Sequence, residues 1–311
     1  MQLTRLIWFG SALVFASSLF AQTNSAQGKP AQGNTTQANA APVGPPEWSE
    51  PFPPHRMIGN LYYVGSRGLA SYLITTPGGH ILINSNLRTS VLLIRENIEK
   101  LGFRFNDVKI LLISHAHFDH DGGSADMKKL TGAKYMVMDG DVGVVESGGK
   151  SDFQYGDDAT LSYPATSVDR VLHDGDDVKL GDMVLTAHKT AGHTRGCTTW
   201  SLKVREGDKT YDVVIVGSPN VNPGYKLVNN ERYPEIADDY ARGFRLLKSL
   251  ACDVFLGAHG SYYGMEAKYA KLTAGGANPY IDSDGYKNYV AEREQAFLSE
   301  LQKQRATVKN Q

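Results

Sequence analysis

The sequence predicts an α/β protein, an αββα sandwich of two mixed β-sheets flanked by helices, and three observations carry that prediction. Short apolar runs bounded by turn residues alternate with segments whose apolar residues recur at helical spacing. The scheme passes once through the first half of the chain and again through the second. Three of the apolar runs end in histidine, and sites in α/β sheets lie beyond the carboxyl ends of strands. No short-period repeat is visible, which speaks against a solenoid.

The N-terminus carries Arg5, an apolar run over 6–20 broken only by small residues, and then Ala21-Gln22. The run is short and a polar tract follows, so residues 1–21 read as a signal peptide rather than a membrane anchor. Residues 22–46 are mostly Gln, Asn, Ala, Thr, Gly and Pro with almost no apolar bulk, and are expected to be a disordered linker. Residues 47–311 suit one large catalytic domain. Within it, 61–64, 70–74 and 80–83 read as an antiparallel meander with Pro77-Gly78-Gly79 as one turn. Residues 90–101 carry a helical apolar pattern, and 108–113 read as a buried strand. A helix over 122–130, a strand over 135–138 and a helix after Asp139 follow. The second half has strands near Val184, Trp200, Val214 and Phe255, and helices over 234–250 and 285–303. Such a sandwich would place a site along one edge between the sheets.

The strongest chemical signal follows the strand at 108–113, where His115, His117, Asp119 and His120 form H-x-H-x-D-H. Three imidazoles and a carboxylate within six residues, on a loop opening a helix, are the donor types zinc prefers. A dinuclear site needs about six protein ligands, so two more are sought. His193 lies in Ala191-Gly192-His193-Thr194-Arg195-Gly196 after one apolar run, and His259 ends another at 253–259. A structural zinc site is usually closed and four-coordinate, whereas a set of six leaves room for water and therefore for catalysis. His55, His80 and His173 have no ligand context, and His188 reads as a structural or supporting group. Ser147-Gly148-Gly149-Lys150 fits S-x-x-K, but two central glycines each oppose the helix that nucleophile motif requires by about 1 kcal/mol. Neither S-D-N nor K-T-G follows, and 147–163 reads as a loop flanking the site.

From about Pro51 to the C-terminal helix the chain resembles a metallo-β-lactamase of subclass B3. The resemblance implies two Zn2+ per chain, one held by His115, His117 and His193, the other by Asp119, His120 and His259. In other subclasses a cysteine ligand falls at the end of the strand at 213–216; here Gly217-Ser218 stands there, as in B3, and Asn222-Pro223-Gly224-Tyr225-Lys226-Leu227 is also similar to that subclass. Glyoxalase II, lactonases and nucleases of the wider superfamily usually carry a metal-bridging aspartate at this strand end, so Ser218 argues against them. The implied activity is zinc-dependent hydrolysis of the β-lactam amide of penicillins and cephalosporins, with carbapenems expected as well, conferring antibiotic resistance. Zinc lowers the pKa of bound water to about 7, so a zinc-bound hydroxide can attack without a side-chain nucleophile.

On that chemistry Asp119 is expected to orient the hydroxide, Ser218 to hydrogen-bond either a zinc-bound water or the substrate carboxylate, and Asn220 and Asn222 to contact the substrate from the same loop. Tyr225 has two open readings: a donor to the developing oxyanion, or a tyrosine packed beneath the site. Asp121 is expected to support the metal loop by hydrogen bonding, and Leu82-Ile83-Asn84 departs from the superfamily's frequent L-I-D. Related B3 enzymes often pair a cysteine at the position of Cys252 with one near the C-terminal helix. No cysteine stands there, so Cys197 and Cys252 are expected to be free buried thiols. A formal net charge of -1 without a basic run leaves no electrostatic footprint for nucleic acid. The expected partner is a small-molecule β-lactam, and the expected state is a periplasmic monomer with no membrane anchor after signal cleavage. The alternative is another secreted metallohydrolase of the same fold, a lactonase or thioesterase.

Overall fold

The computed structural model describes residues 44–309. The expected export signal at 1–21 and residues 22–43 of the expected linker lie outside the described residues. A 3-10 turn at Pro46–Trp48 leads into a seven-stranded sheet whose strands lie side by side in chain order. These are β1 (His55–Ile58), β2 (Leu61–Tyr63), β3 (Tyr72–Thr76), β4 (Gly79–Ile83), β5 (Val108–Leu112), β6 (Lys134–Met138) and β7 (Arg170–Leu172). β1 to β4 pair antiparallel, and β4 to β7 pair parallel. The second sheet holds β8 (Asp177–Leu180), β9 (Met183–Lys189), β10 (Thr198–Glu206), β11 (Lys209–Val216) and β12 (Val254–Gly257), antiparallel except for the β11–β12 pair. Both sheets are mixed.

Period-two alternation decides which face each strand buries. Ile81, Ile83, Ile110 and Leu112 point into the core shared with Leu185, Ala187, Trp200, Leu202 and Val204 of the second sheet. Between them, Leu82 and Leu111 point the other way, against Val91, Ile94 and Ile98 of α1 (Ser90–Lys100). Burying each such side chain contributes roughly 1.5–3 kcal/mol. Two short helices follow β5, α2 (Phe118–Asp121) and α3 (Ser124–Thr131), and α4 (Val142–Glu146) follows β6. α5 (Ile236–Ser249) buries Ile236, Tyr240, Gly243, Phe244 and Leu247, the spacing of one helical face. α6 (Met265–Ala274) and α7 (Ser283–Lys309) complete the chain.

The αββα sandwich is therefore as predicted, with local departures. The helix expected over 122–130 is α3, which begins at Ser124, and Gly122-Gly123 separate it from the unforeseen short helix α2. A Cβ on Gly123 would stand 2.9 Å from the Ser85 carbonyl oxygen, so the turn after β4 can approach only because that side chain is absent. β1, β7, β8 and α6 were not foreseen, because they are short or weakly periodic. α7 extends beyond the predicted 285–303 at both ends.

Because β9, β10 and β11 alternate in direction while β11 and β12 agree, β9, β11 and β12 all end at the same edge. The end of β5 meets them there. Trp200 Nε1 donates to the Ile113 carbonyl at 3.1 Å, and the Thr198 amide donates to the Ser114 carbonyl at 2.7 Å. The Ala70 amide donates to the Ala258 carbonyl at 3.0 Å. Hydrogen bonds thus lock the two sheets together at the edge where the histidines emerge.

Cys197 is buried, Cys252 is partly buried, and both are free, as the missing partner cysteine implied. Burial pushes both thiols up to about 12, so they stay protonated and unreactive. Accordingly, the melting temperature is expected to be unchanged by reductant, and the denatured protein to titrate two thiols. A Cys197–Cys252 bridge found by mass spectrometry would contradict this.

Candidate active site

Each donor side chain is placed by a strand end. Asn84, just past β4, sits at φ 67°, a left-handed conformation that asparagine tolerates better than most residues. Its Oδ1 accepts from the Ser114 amide at 2.8 Å and from Ser114 Oγ at 3.0 Å, and its Nδ2 donates to the Ala70 carbonyl at 3.3 Å. An ionised aspartate could not make the last bond. Asparagine at this position therefore secures the residue immediately before His115. The single turn of α2 then brings Asp119 and His120 back toward His115.

His193 follows β9 through Gly192 at φ 133°, where a Cβ would stand 2.6 Å from the Tyr240 ring. His259 follows β12, in an isolated bridge to Leu69. The rings of His115, His117, His120, His193 and His259 succeed one another at centroid distances of 4.3–4.8 Å. Donor atoms of His115, His117 and His193 lie within 4.8 Å of one another. On the other side, Asp119 Oδ2 is 3.2 Å from His120 Nε2 and 3.6 Å from His259 Nε2, and those two nitrogens are 3.1 Å apart. The structure brings together all six residues singled out as ligands.

Burial and the neighbouring imidazoles push His115 well down, and push His193 and His259 down to about 3. Burial alone would raise Asp119, but the adjacent His120 and His259 outweigh it and hold the carboxylate ionised. Neutral imidazoles beside an ionised carboxylate are the protonation states that a metal ion requires. Moreover, His115 Nδ1, His117 Nε2 and His120 Nδ1 are buried without a hydrogen-bond partner, a costly arrangement for a cluster holding no cation. The residues present fit zinc by donor type and convergence, and His115, His193, His259 and Asp119 fit it by protonation as well.

Backbone and side-chain partners hold these rings in place. The Asn220 carbonyl accepts from His193 Nδ1 at 2.9 Å and from Tyr240 Oη at 2.6 Å, which leaves His193 Nε2 free as a lone-pair donor. Asp152 Oδ2 lies 3.7 Å from His117 Nε2; burial lowers that imidazole, and the carboxylate more than reverses the effect. Asp121 accepts from Tyr135 Oη at 2.5 Å beneath the metal loop, the supporting role expected of it. His188 bonds Ser201, and His55 bonds Tyr280, both away from the cluster.

A cleft of about 410 Å³ opens over the cluster. Asn220 and Asn222 line it, with Trp48, Phe118, Tyr155 and Tyr262 as aromatic walls. Two expectations change here. Ser218 is 1% exposed, and its Oγ lies 3.1 Å from Tyr262 Oη, so it braces the cleft wall rather than facing the cleft. Tyr225 is 2% exposed and donates its hydroxyl to the His193 carbonyl at 2.9 Å, so the packed reading of the two is the one the geometry matches. Sequence reasoning missed Trp48, Tyr155 and Tyr262, isolated aromatics that carry no motif. It also missed Asp152, although the loop holding it was read as flanking the site.

Two sheets that present a histidine and aspartate cluster at one shared edge, under an open cleft, define a metal-dependent hydrolase. Residues 65–259 match the model of the metallo-β-lactamase superfamily. The native FEZ-1 metallo-β-lactamase from Legionella gormanii is 55% identical, over 82% of this chain and 98% of that one, with a TM-score of 0.82. BJP-1, a subclass B3 metallo-β-lactamase of Bradyrhizobium japonicum, is 39% identical over 85% and 98%, with a TM-score of 0.79. A metal-dependent hydrolase of Anaeromyxobacter dehalogenans is 24% identical over 216 residues, 68% of this chain and 69% of that protein. The chain belongs to the metallo-β-lactamase superfamily and, within it, to the B3 metallo-β-lactamases.

The placement of Tyr225 has a kinetic consequence. Tyr225→Phe is expected to lower the melting temperature and to reduce kcat by no more than about tenfold, the scale of one lost hydrogen bond. A loss of about 10²–10³ in kcat with unchanged stability would instead identify an oxyanion donor.

Proposed function

We propose that this protein hydrolyses the amide bond of β-lactams, penicillins, cephalosporins and carbapenems among them, with two zinc ions bound at the strand-end cluster. The observation that carries the reading is the gathering of six donors beneath one open cleft: donor atoms of His115, His117 and His193 lie together, those of His115, Asp119 and His120 lie together, and Asp119 Oδ2 is within 3.6 Å of both His120 Nε2 and His259 Nε2. His115, His117 and His193 would hold one ion, and Asp119, His120 and His259 the other. Zinc supplies Lewis acidity and a hydroxide nucleophile at neutral pH.

The chain's own residues do the rest. Hydrogen bonding to the Asn220 carbonyl keeps the His193 proton on Nδ1 and presents Nε2 to the metal side. Asp119 engages His120 and His259 through Oδ2, which leaves its second oxygen to accept a hydrogen bond from the attacking nucleophile. The aromatic walls exclude water from the bicyclic body of the substrate and bury its apolar faces. Among the described residues no lysine or arginine lines the cleft, and its uncharged polar groups are Asn220, Asn222, Ser261 and the hydroxyls of Tyr155 and Tyr262, with Asn220 Nδ2 donating to Tyr262 Oη at 2.8 Å. Asn222 Nδ2 donates to Tyr155 Oη at 3.0 Å, which holds the amide at the rim.

Read as an export signal, residues 1–21 support action in the periplasm. Among the described residues no helix is long and apolar enough to cross a membrane.

Removing metal with a chelator is expected to abolish hydrolysis of a penicillin, a cephalosporin and a carbapenem, with zinc restoring it. Serine-directed suicide inhibitors should have little effect. Full turnover by protein shown by elemental analysis to be metal-free would refute the reading, and a zinc enzyme active only on a thioester or lactone would refute the substrate class. His259→Ala is expected to retain about one zinc equivalent and low residual activity. Two tightly held zincs in that variant would remove His259 from the ligand set.

A further inference from the structure

We infer that Asp141 is a positioning residue for the three-histidine half of the site and not for the other half. The inference rests on the ligand division proposed above. Asp141 ends the 3-10 turn Asp139–Asp141 after β6 and is 0% exposed. Its Oδ2 accepts from the Ala116 amide at 2.9 Å and from Thr194 Oγ1 at 2.8 Å, and its Oδ1 accepts from the Gly196 amide at 2.8 Å. Ala116 lies between His115 and His117, and Thr194 follows His193. One carboxylate therefore ties together the backbone around all three imidazoles of that half, although they come from two loops of different sheets.

The approach is close enough to dictate its neighbours. A Cβ on Gly140 would stand 2.3 Å from the Arg195 carbonyl oxygen, and one on Gly196 would stand 2.7 Å from Asp141 Cγ. Glycine on both sides lets the turn seat against the His193 loop without a side chain between them. A charged acceptor taking three buried hydrogen bonds is a strong and stiff junction.

The other half is held by different groups. The His120 carbonyl accepts from the Ser85 amide at 3.1 Å and the Asn86 amide at 3.2 Å. His259 is flanked by the Leu69 bridge and by the Gly260 amide donating to the Gly68 carbonyl at 3.1 Å. Asp141 touches none of these. The two halves of the cluster thus draw on different supports outside the turn they share, in which the His120 amide donates to the His117 carbonyl at 3.0 Å.

In Asp141→Asn the side-chain NH2 must face either the Gly196 amide or the Ala116 amide and Thr194 hydroxyl, so at least one acceptor contact becomes donor against donor. The test uses zinc alone as the probe, on the full chain, with affinity read by chelator competition and without any substrate. In a His259→Ala background, where the three-histidine half remains, Asp141→Asn is expected to weaken zinc by about 10–100-fold. In a His193→Ala background, where the Asp119-His120 side remains, it is expected to change affinity by no more than about twofold, as independent sites do.

Thr194→Val removes one of the three bonds and leaves the carboxylate paired. It should give a smaller loss in the first background and none in the second, and it stands in if Asp141→Asn does not fold. The unfolding midpoint of each metal-free protein separates general destabilisation from a local effect. Equal losses in both backgrounds, or no loss in the first, would overturn the inference. A His259→Ala protein still holding two zincs would overturn the ligand division itself, an outcome read before Asp141 is changed.

Discussion

Everything at the functional edge depends on holding five imidazoles and a carboxylate together at the largely buried floor of one cleft. Left to themselves these groups would separate, since buried ring nitrogens without partners cost free energy and like-charged imidazolium rings repel. The protein answers with backbone. β5 delivers His115, β9 delivers His193 and β12 delivers His259 to one edge, and the cross-sheet bonds at Ile113, Ser114 and Ala258 keep that edge closed. The crowding then becomes useful, because it keeps His193 and His259 neutral and Asp119 ionised, ready for a cation. Folding energy is converted in this way into metal-binding competence.

Apart from Asp152 beside His117, the supports are short polar side chains, carbonyls and the Asp141 carboxylate. Asn84 secures Ser114, the Asn220 carbonyl secures His193, and Asp141 secures the backbone on both sides of that half-site. Tyr225 and Ser218 belong to the same structural layer, one braced on the His193 carbonyl and the other on Tyr262. The cleft surface proper is left to aromatic rings and to the amides of Asn220 and Asn222, a surface suited to a small, rigid, partly apolar substrate.

The sandwich and the six donors were readable before any coordinates because each depends on local pattern. H-x-H-x-D-H is contiguous, and His193 and His259 each close an apolar run, which already marks a strand end. The cleft walls were not readable. Trp48 stands 5.7 Å from the His259 ring although 211 positions separate them, and nothing near Trp48 in the chain marks that meeting. Tyr225 illustrates a different difficulty. A tyrosine near a zinc cluster suits either an oxyanion donor or a packed brace, and only the direction of its hydroxyl, toward the His193 carbonyl, distinguishes them. The helix was expected to begin at Gly122 rather than Ser124 because the tertiary approach of the Ser85 backbone to Gly123 leaves no trace in a local apolar period.

The central claim is that the six donors are already in place before metal arrives. Crystal structures of the metal-free and zinc-loaded protein test it most directly. The account predicts one ion on His115, His117 and His193 and one on Asp119, His120 and His259, at about 2.0–2.2 Å from each donor atom. It also predicts backbone shifts below about 1 Å in the three loops that carry them. An ion bound by a different set of residues, or loops that must move by more than about 2 Å to reach it, would contradict the account.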